Sequence, residues 1–249
     1  MKKYLSLITV LAFFSITAFA REGIYLEFKI TVASMTGNNK VYSSDGDTRS
    51  EITMVSDAMP NPYSAITLVL HNAPDKVYNL NEKDKTYSET DAGKSSENND
   101  DDYEITVLGK ENINNYNCTH VSVRYKKSKH TSDMWLSKDI VGYAGYTVVK
   151  NKYLGGSKFF NALKDKGADG FVVRLVTNSE KGGKMQMDLV KAEKRTIAES
   201  LFSLGGYTKG ASYTPGNGAV DAQAIQKMTP EERQKYIEQM KEKYKQPQH

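Results

Sequence analysis

The stretch "GIYLEFKITVA", Gly23 to Ala33, alternates without a break. Ile24, Leu26, Phe28, Ile30 and Val32 fall on one side; Tyr25, Glu27, Lys29 and Thr31 fall on the other. In a strand, successive side chains point to opposite faces, so this period of two predicts a half-buried antiparallel strand. A helix would scatter the same five apolar side chains around its circumference. A chain carrying such a stretch has to build a sheet and then cover the apolar face of that sheet.

The same rhythm continues. "NKVYSSDGDTRSEITMV" reads as strand, turn, strand, with Asp45-Gly46-Asp47 supplying the tight turn. Those acids lack the further oxygen ligands that a calcium loop needs. "MPNPYS" interrupts the pattern with two prolines, "AITLVLHN" is an apolar strand, and "DKVYNLNEKDKTYSETD" is a hairpin turning around Glu82 to Asp84. "AGKSSENNDDD" predicts an exposed loop. "YEITVLGKENINNYNCTHVSVRY" gives two strands joined by an Asn-rich turn, and "TSDMWLS" gives a short one. "GFVVRLV" and "KGGKMQMDLVKAEKRT" are two more, the latter with Met185, Met187 and Leu189 on one face. One segment departs from this rhythm. "GGSKFFNALKDKG" places Phe159, Phe160 and Leu163 at helical spacing, with Gly155-Gly156 and Ser157 as start and Gly167 as stop, which predicts a helix from Ser157 to Lys166. "AESLFSLGGYTKG" reads as a closing turn that packs Leu201, Phe202 and Leu204 on the sheet.

The ends carry different information. Lys2 and Lys3, the apolar run Leu5 to Phe14, and Ala18-Phe19-Ala20 have the order of a secretory signal peptide, so residues 1–20 are expected to be removed and the mature chain to start at Arg21. No cysteine stands at that point to accept acyl chains, and Cys118 is too deep in the chain to serve, which predicts a free periplasmic or secreted protein. No later apolar run is long enough to span a bilayer. Residues 21–205 are then an antiparallel β domain, 206–222 a Gly/Ser/Thr/Pro linker, and 223–249 a charged helix. Thr229 is its N-cap, Pro230 its first residue, and Glu231 and Glu232 suit the positive helix end. The thin apolar stripe of Met228 or Arg233, Tyr236, Ile237, Met240 and Tyr244 predicts a docking face, either on the chain's own domain or on an envelope protein as partner.

Charge and rare residues exclude several functions. The net charge is +4, and two of the lysines lie in the leader, so nothing here forms a nucleic-acid footprint. The single cysteine permits no internal disulfide. Cys118 and His120 share one face of a strand, about 7 Å apart along it, with no oxyanion donor nearby because the ladder consumes the backbone N–H groups. A buried, inert thiol beside a partly exposed histidine is expected. His71, His120, His130 and His249 are scattered, and a metal site would need His71 and His120 to meet across strands. Trp135, between Met134 and Leu136, is expected to be an ordinary packing residue. No G-x-S-x-G, phosphate-binding loop or dinucleotide fingerprint is present. No catalytic residue, metal ligand or cofactor is therefore assigned.

Taken in order, "KVYNLNEKDKTYSE", "YEITVLGKENINNYNCTHV", "DMWLSKDI", "KFFNALKDKGADGFVVRL" and "SLFSLGGYTKG" resemble the bacterial envelope family called domain of unknown function 4412, over Gly23 to Lys209. The pattern is more distantly similar to the periplasmic lipoprotein-carrier (Lol-type) fold. That resemblance implies a mainly β fold, a curved antiparallel sheet or half-open β-barrel whose concave apolar face is covered by a helix. It also implies a ligand, a lipid or lipoprotein acyl chain, held against that face by buried apolar area. The residues expected to line it are Leu26, Phe28, Ile30, Met54, Leu68, Met134, Phe159, Leu163, Met185 and Met187. The competing expectation is a structural or interaction module acting through residues 223–249. No constellation of residues supports an enzyme.

Overall fold

The structure is a computed structural model that describes residues 20–56, 61–91, 103–126, 130–141, 156–179, 183–210, and positions 229, 231, 232, 234 and 235. The expected signal peptide up to residue 19, linker residues 211–222 and most of the C-terminal helix lie outside the described residues.

Twelve strands form one sheet. They are β1 (Ala20–Val32), β2 (Met35–Ser44), β3 (Asp47–Val55), β4 (Tyr63–Leu70), β5 (Ala73–Asn81), β6 (Thr86–Asp91), β7 (Tyr103–Ile113), β8 (Tyr116–Tyr125), β9 (Thr131–Ser137), β10 (Phe171–Ser179), β11 (Gly183–Ala198) and β12 (Thr208–Lys209). A helix, α1 (Gly156–Asp165), separates β9 from β10, and a 3-10 turn, Glu199–Phe202, follows β11. The order across the sheet is β12-β6-β5-β4-β3-β2-β1-β11-β10-β9-β8-β7. β1 therefore sits in the middle, between a meander that precedes it spatially, β2 to β6, and one that follows, β7 to β11. The sheet is curved and does not close into a barrel: β7 ends one side, and on the other β12 covers only Thr86 and Tyr87 of β6. Curvature is visible in one bond. Asn114, at the tip of the β7–β8 hairpin, donates its side-chain N–H to the Leu189 carbonyl of β11 at 2.9 Å, across the two intervening strands β9 and β10.

Local chemistry explains the joints. Asp45 and Gly46 both take positive φ (49° and 86°) between the paired residues Ser44 and Asp47, the two-residue turn whose twist matches a hairpin. α1 stops at Gly167, whose φ of 74° costs little without a Cβ. There Gly167 N–H donates to Lys164 O and Ala168 N–H to Leu163 O, at 2.8 and 2.9 Å, closing the helix end by the Schellman pattern. Ala168 and Leu163 are both buried in the same cluster, the apolar contact that accompanies this cap.

Three apolar clusters hold the molecule. One gathers Leu26, Phe28, Val41 and Leu189 with Cys118, Ile140, Phe171 and Val173. A second packs Phe159, Phe160 and Leu163 of α1 against Val121, Val123, Met134, Leu136 and Val172. A third joins Leu68, Tyr78 and Leu80 to Ile197 and Phe202.

Two expectations need correction. Strand β1 is not merely half-buried: Tyr25, on its supposed polar side, is 4 % exposed, stacked beneath the Arg195 guanidinium (4.0 Å) and against Tyr42 (5.2 Å between centroids). Burial first, and then its bond to Glu27, push its hydroxyl pKa up to about 12. The β domain also runs past 205. Tyr207 donates its hydroxyl to Glu82, Thr208 N–H and Gly210 N–H bond to Lys85 O and Tyr87 O at 2.9 Å, and Lys209 pairs with Glu89. Residues 206–210 are thus attached to β6; their Gly-rich composition hid a strand that is only two residues long.

Candidate functional site

Cross-strand partners point to the same face of a sheet, so registers trace each face across the molecule. Beginning at β4 and stepping one strand at a time, Tyr63 faces Met54, Met54 faces Gly37, Gly37 faces Ile30, Ile30 faces Met187, Met187 faces Leu175, Leu175 faces Met134, and Met134 faces Val121. Eight strands contribute one apolar row. Gly37 is its only gap, and Met54 needs it: a Cβ there would lie 1.9 Å from Thr53 O and 2.7 Å from the Met54 sulfur. α1 lies over the β8–β10 end of this row, with Phe159 and Leu163 in contact with the cluster of Met134 and Val121, while Leu175 and Met187 are only half-buried at its margin.

The expected lining residues distribute as follows. Ile30, Met54, Met134 and Met187 lie in the row itself. Met185 belongs to the next row of the same face, opposite Val32, and Leu26 and Phe28 share Ile30's side of β1. Phe159 and Leu163 come from α1. Leu68 is on the other face. It pairs with Arg49, Arg49 with Tyr42 and Tyr42 with Tyr25, which points away from Leu26. Its site is the third cluster, under the 3-10 turn, where Arg49 donates to Leu201 O at 3.3 Å and Arg21 stacks on Phe202 at 4.7 Å. The sheet therefore buries opposite faces in its two halves, a reversal that alternation along a single strand cannot reveal. Leu175, Val172 and Phe160 belong to the site as well; their signal was the apolar run "FVVRLV" and the helical spacing of "KFFNAL".

One residue out of phase, the opposite face is polar from β8 across to β1. His120 faces Trp135, Trp135 faces Arg174, Arg174 faces Asp188, and Asp188 faces Lys29. The His120 ring stacks flat on the indole at 4.1 Å, and the Arg174 guanidinium lies 5.8 Å from the indole centre. Glu111 bonds to both aromatic residues, the His120 ring at 2.8 Å and the Trp135 N–H at 3.0 Å. The Trp135 bond, then His120, hold the Glu111 carboxyl below its usual range. His120 Nε2 sits 3.4 Å from Asp133 without hydrogen-bond geometry. Trp135 is thus more than core packing: it is the centre of a cross-strand ladder.

Cys118 is 2 % exposed, and burial pushes its thiol up to about 11, which leaves no thiolate for catalysis near neutral pH. His71 and His120 do not meet. His71 donates its backbone N–H to Asp47 at 2.7 Å and its ring lies 2.8 Å from the same carboxylate, at the far side of the sheet from β8. Among the described residues no group of three His, Cys, Asp or Glu is placed to hold a metal ion. Among them, too, no helix is long and apolar enough to cross a membrane.

Solved structures with a similar chain path include an uncharacterized conserved protein from Thermus thermophilus, at 10 % identity and a TM-score of 0.45, covering 78 % of this chain and 93 % of that one. A chain of the Pseudomonas aeruginosa MucA/MucB complex matches at 10 % identity and 0.40, covering 75 % of this chain and 56 % of that one. A putative outer membrane lipoprotein-sorting protein domain from Vibrio parahaemolyticus matches at 12 % identity and 0.23, covering 73 % and 89 %. No curated protein matches the sequence. Residues 22–206, from the start of β1 to just beyond the 3-10 turn, match the family model Domain of unknown function (DUF4412), and the chain belongs to that family.

Proposed function

We propose that this is a non-enzymatic protein of the cell envelope that holds a lipid or lipoprotein acyl chain between α1 and the apolar row. One observation carries the reading: the row crosses eight strands with its only gap at Gly37, yet it opens between its buried members Ile30 and Met54 and the β8–β10 end that α1 covers. Met187 and Leu175 are left half-buried at the margin of that cover. Methionine supplies Met54, Met134 and Met187 of the row and Met185 beside it, and its unbranched thioether adapts to a flexible chain. Each methylene moved from water into such a seam contributes about 0.8 kcal/mol, so an acyl chain needs no polar anchor there.

The test is native mass spectrometry of the mature protein, purified from its own envelope without detergent, followed by organic extraction. A stoichiometric acyl species, lost in Met187→Glu, is the expected result. An apo mass together with no thermal shift on adding fatty acids or phospholipids would reject the carrier reading.

A second reading, an interaction module acting through the C-terminal helix, has its own support. Thr229 and Glu232 cap that helix reciprocally, Glu232 N–H to Thr229 Oγ1 at 3.2 Å and Thr229 N–H to Glu232 Oε2 at 2.7 Å, so its start is specified without help from the sheet. Affinity capture with the full chain, compared with a chain ending at Gly210, separates it from the carrier reading.

A further inference from the structure

We propose that the polar face of the sheet carries an anion site, an open cleft over the paired ends of β1 and β11 that takes a phosphate group. The cleft has a volume of about 320 Å³ and is lined by Lys29, Thr31, Ala33, Lys184, Gln186 and Asp188. These are alternate residues of two paired strands: Lys29 faces Asp188 and Thr31 faces Gln186, and Ala33 N–H bonds to Lys184 O at 3.2 Å where the strands end. The floor is therefore a hydroxyl, an amide and a methyl group, and the two lysines rise at its ends, about 13 Å apart along the strands. An extended lysine side chain reaches about half that distance, so both ammonium groups can converge over Thr31 and Gln186.

Charge decides what the cleft accepts. Its one acid, Asp188, is already occupied by Arg174 Nε and by the Gln186 amide at 2.7 Å. Neither Lys29 nor Lys184 has an ion-pair partner among the described residues, whereas Lys76, Lys85, Lys191 and Lys209 all do. On the flanking strand, Asn38 faces Lys29 and Thr36 faces Thr31, so β2 adds neutral hydrogen-bonding groups and no carboxylate at these positions. Two unpaired cations beside hydroxyl and amide donors favour a compact oxyanion with several acceptor oxygens, and phosphate matches. The site is back to back with Ile30 and Met187 of the apolar row, on the other side of the sheet. It thus stands independently of the acyl-chain reading.

A phosphate can reach this cleft as a free ion or as a lipid headgroup, and two titrations separate the sources. Inorganic phosphate is titrated into the mature protein while amide shifts at Thr31 and Gln186 are followed. In parallel, binding to phosphatidylglycerol vesicles is measured against phosphatidylcholine vesicles. Saturable binding in the first arm assigns a free anion; binding only to the anionic vesicles assigns a headgroup. In either case Lys29→Gln and Lys184→Gln each weaken binding about fivefold, the attraction one basic side chain supplies near an anionic surface, and Lys110→Gln on β7 leaves it unchanged. The proposal is overturned if neither arm shows binding, or if the double variant binds as well as the unaltered protein. Among the described residues the two lysines have no ion-pair partners to lose, so the variants are expected to fold.

Discussion

Asp47 is the residue on which most of one end of the molecule converges. Its carboxylate is nearly buried and takes the Arg21 guanidinium, the His71 backbone N–H and the His71 ring. Burial alone would raise its pKa, but the His71 N–H, the Arg21 guanidinium and the His71 ring outweigh it and hold it below the usual carboxylate range. A carboxylate depressed on folding stabilises the native state above its unfolded pKa, and that contribution is lost as pH falls through the folded value. Asp47→Asn is therefore expected to cost about 2 kcal/mol near neutral pH, where Arg21 loses its buried counter-ion and keeps only the exposed Asp45, at 3.5 Å. The difference should vanish in strong acid, where the native side chain is protonated too. Urea denaturation of both proteins at about pH 7 and about pH 3 checks this; a gap that stays constant would show that charge is not the cause. The turn itself was legible, since Asp-Gly between alternating strands has few other uses. The partners of Asp47 were not, because Arg21 and His71 reach it only through tertiary structure.

At the scale of elements, α1 and the closing tail each cover one face. Leu163 is fully buried between α1 and the sheet, so Leu163→Ala leaves a cavity and should cost about 3 kcal/mol, read from denaturant midpoints. The tail is fastened by Arg49 to Leu201 O, by Glu82 to Tyr207, and by β12 on β6. Bonds from Lys85 first, then Tyr207, with a smaller one from Arg49, bring the Glu82 carboxyl down to about 2. A chain ending at Gly210 should keep the stability of the parent in thermal melts. One ending at Ala198 should lose Phe202 and expose Leu68, Tyr78 and Leu80, with a melting temperature lower by many degrees. The helix and the closing turn could both be read from spacing and glycine punctuation. The face that the turn covers could not.

The whole molecule is one sheet with β1 at its centre, and its two halves bury opposite faces. Such a layout is a single cooperative unit only if the shared strands couple the halves. β1 pairs over its full length with β11 and over nine residues with β2, so coupling is expected. Trp135, the only tryptophan, reports the β7–β10 side, and the tyrosines of the third cluster, Tyr42, Tyr78, Tyr87 and Tyr207, report the other. Tryptophan fluorescence and tyrosine near-ultraviolet signals should therefore trace the same unfolding curve. Separate midpoints would show two independently melting halves. The outer edge, β7, leaves Val107 and Leu108 43 % and 54 % exposed, but a bulge at Gly109 and the flanking Lys110 and Glu111 blunt it against further pairing.

Strands β1 to β11, helix α1, the tight turn at Asp45-Gly46 and the burial of Cys118 could all be read from the sequence. All of these follow from periods of two or 3.6 residues, from glycine and from local composition, which act over a few residues. Tertiary structure alone decided that Leu68 faces away from Leu26, that residues 206–210 complete the sheet, and that Lys29 and Lys184 flank one cleft. Alternation says which residues of a strand share a side. Which side becomes core depends on what the rest of the chain lays over it, and that partner is set by register across strands far apart in sequence.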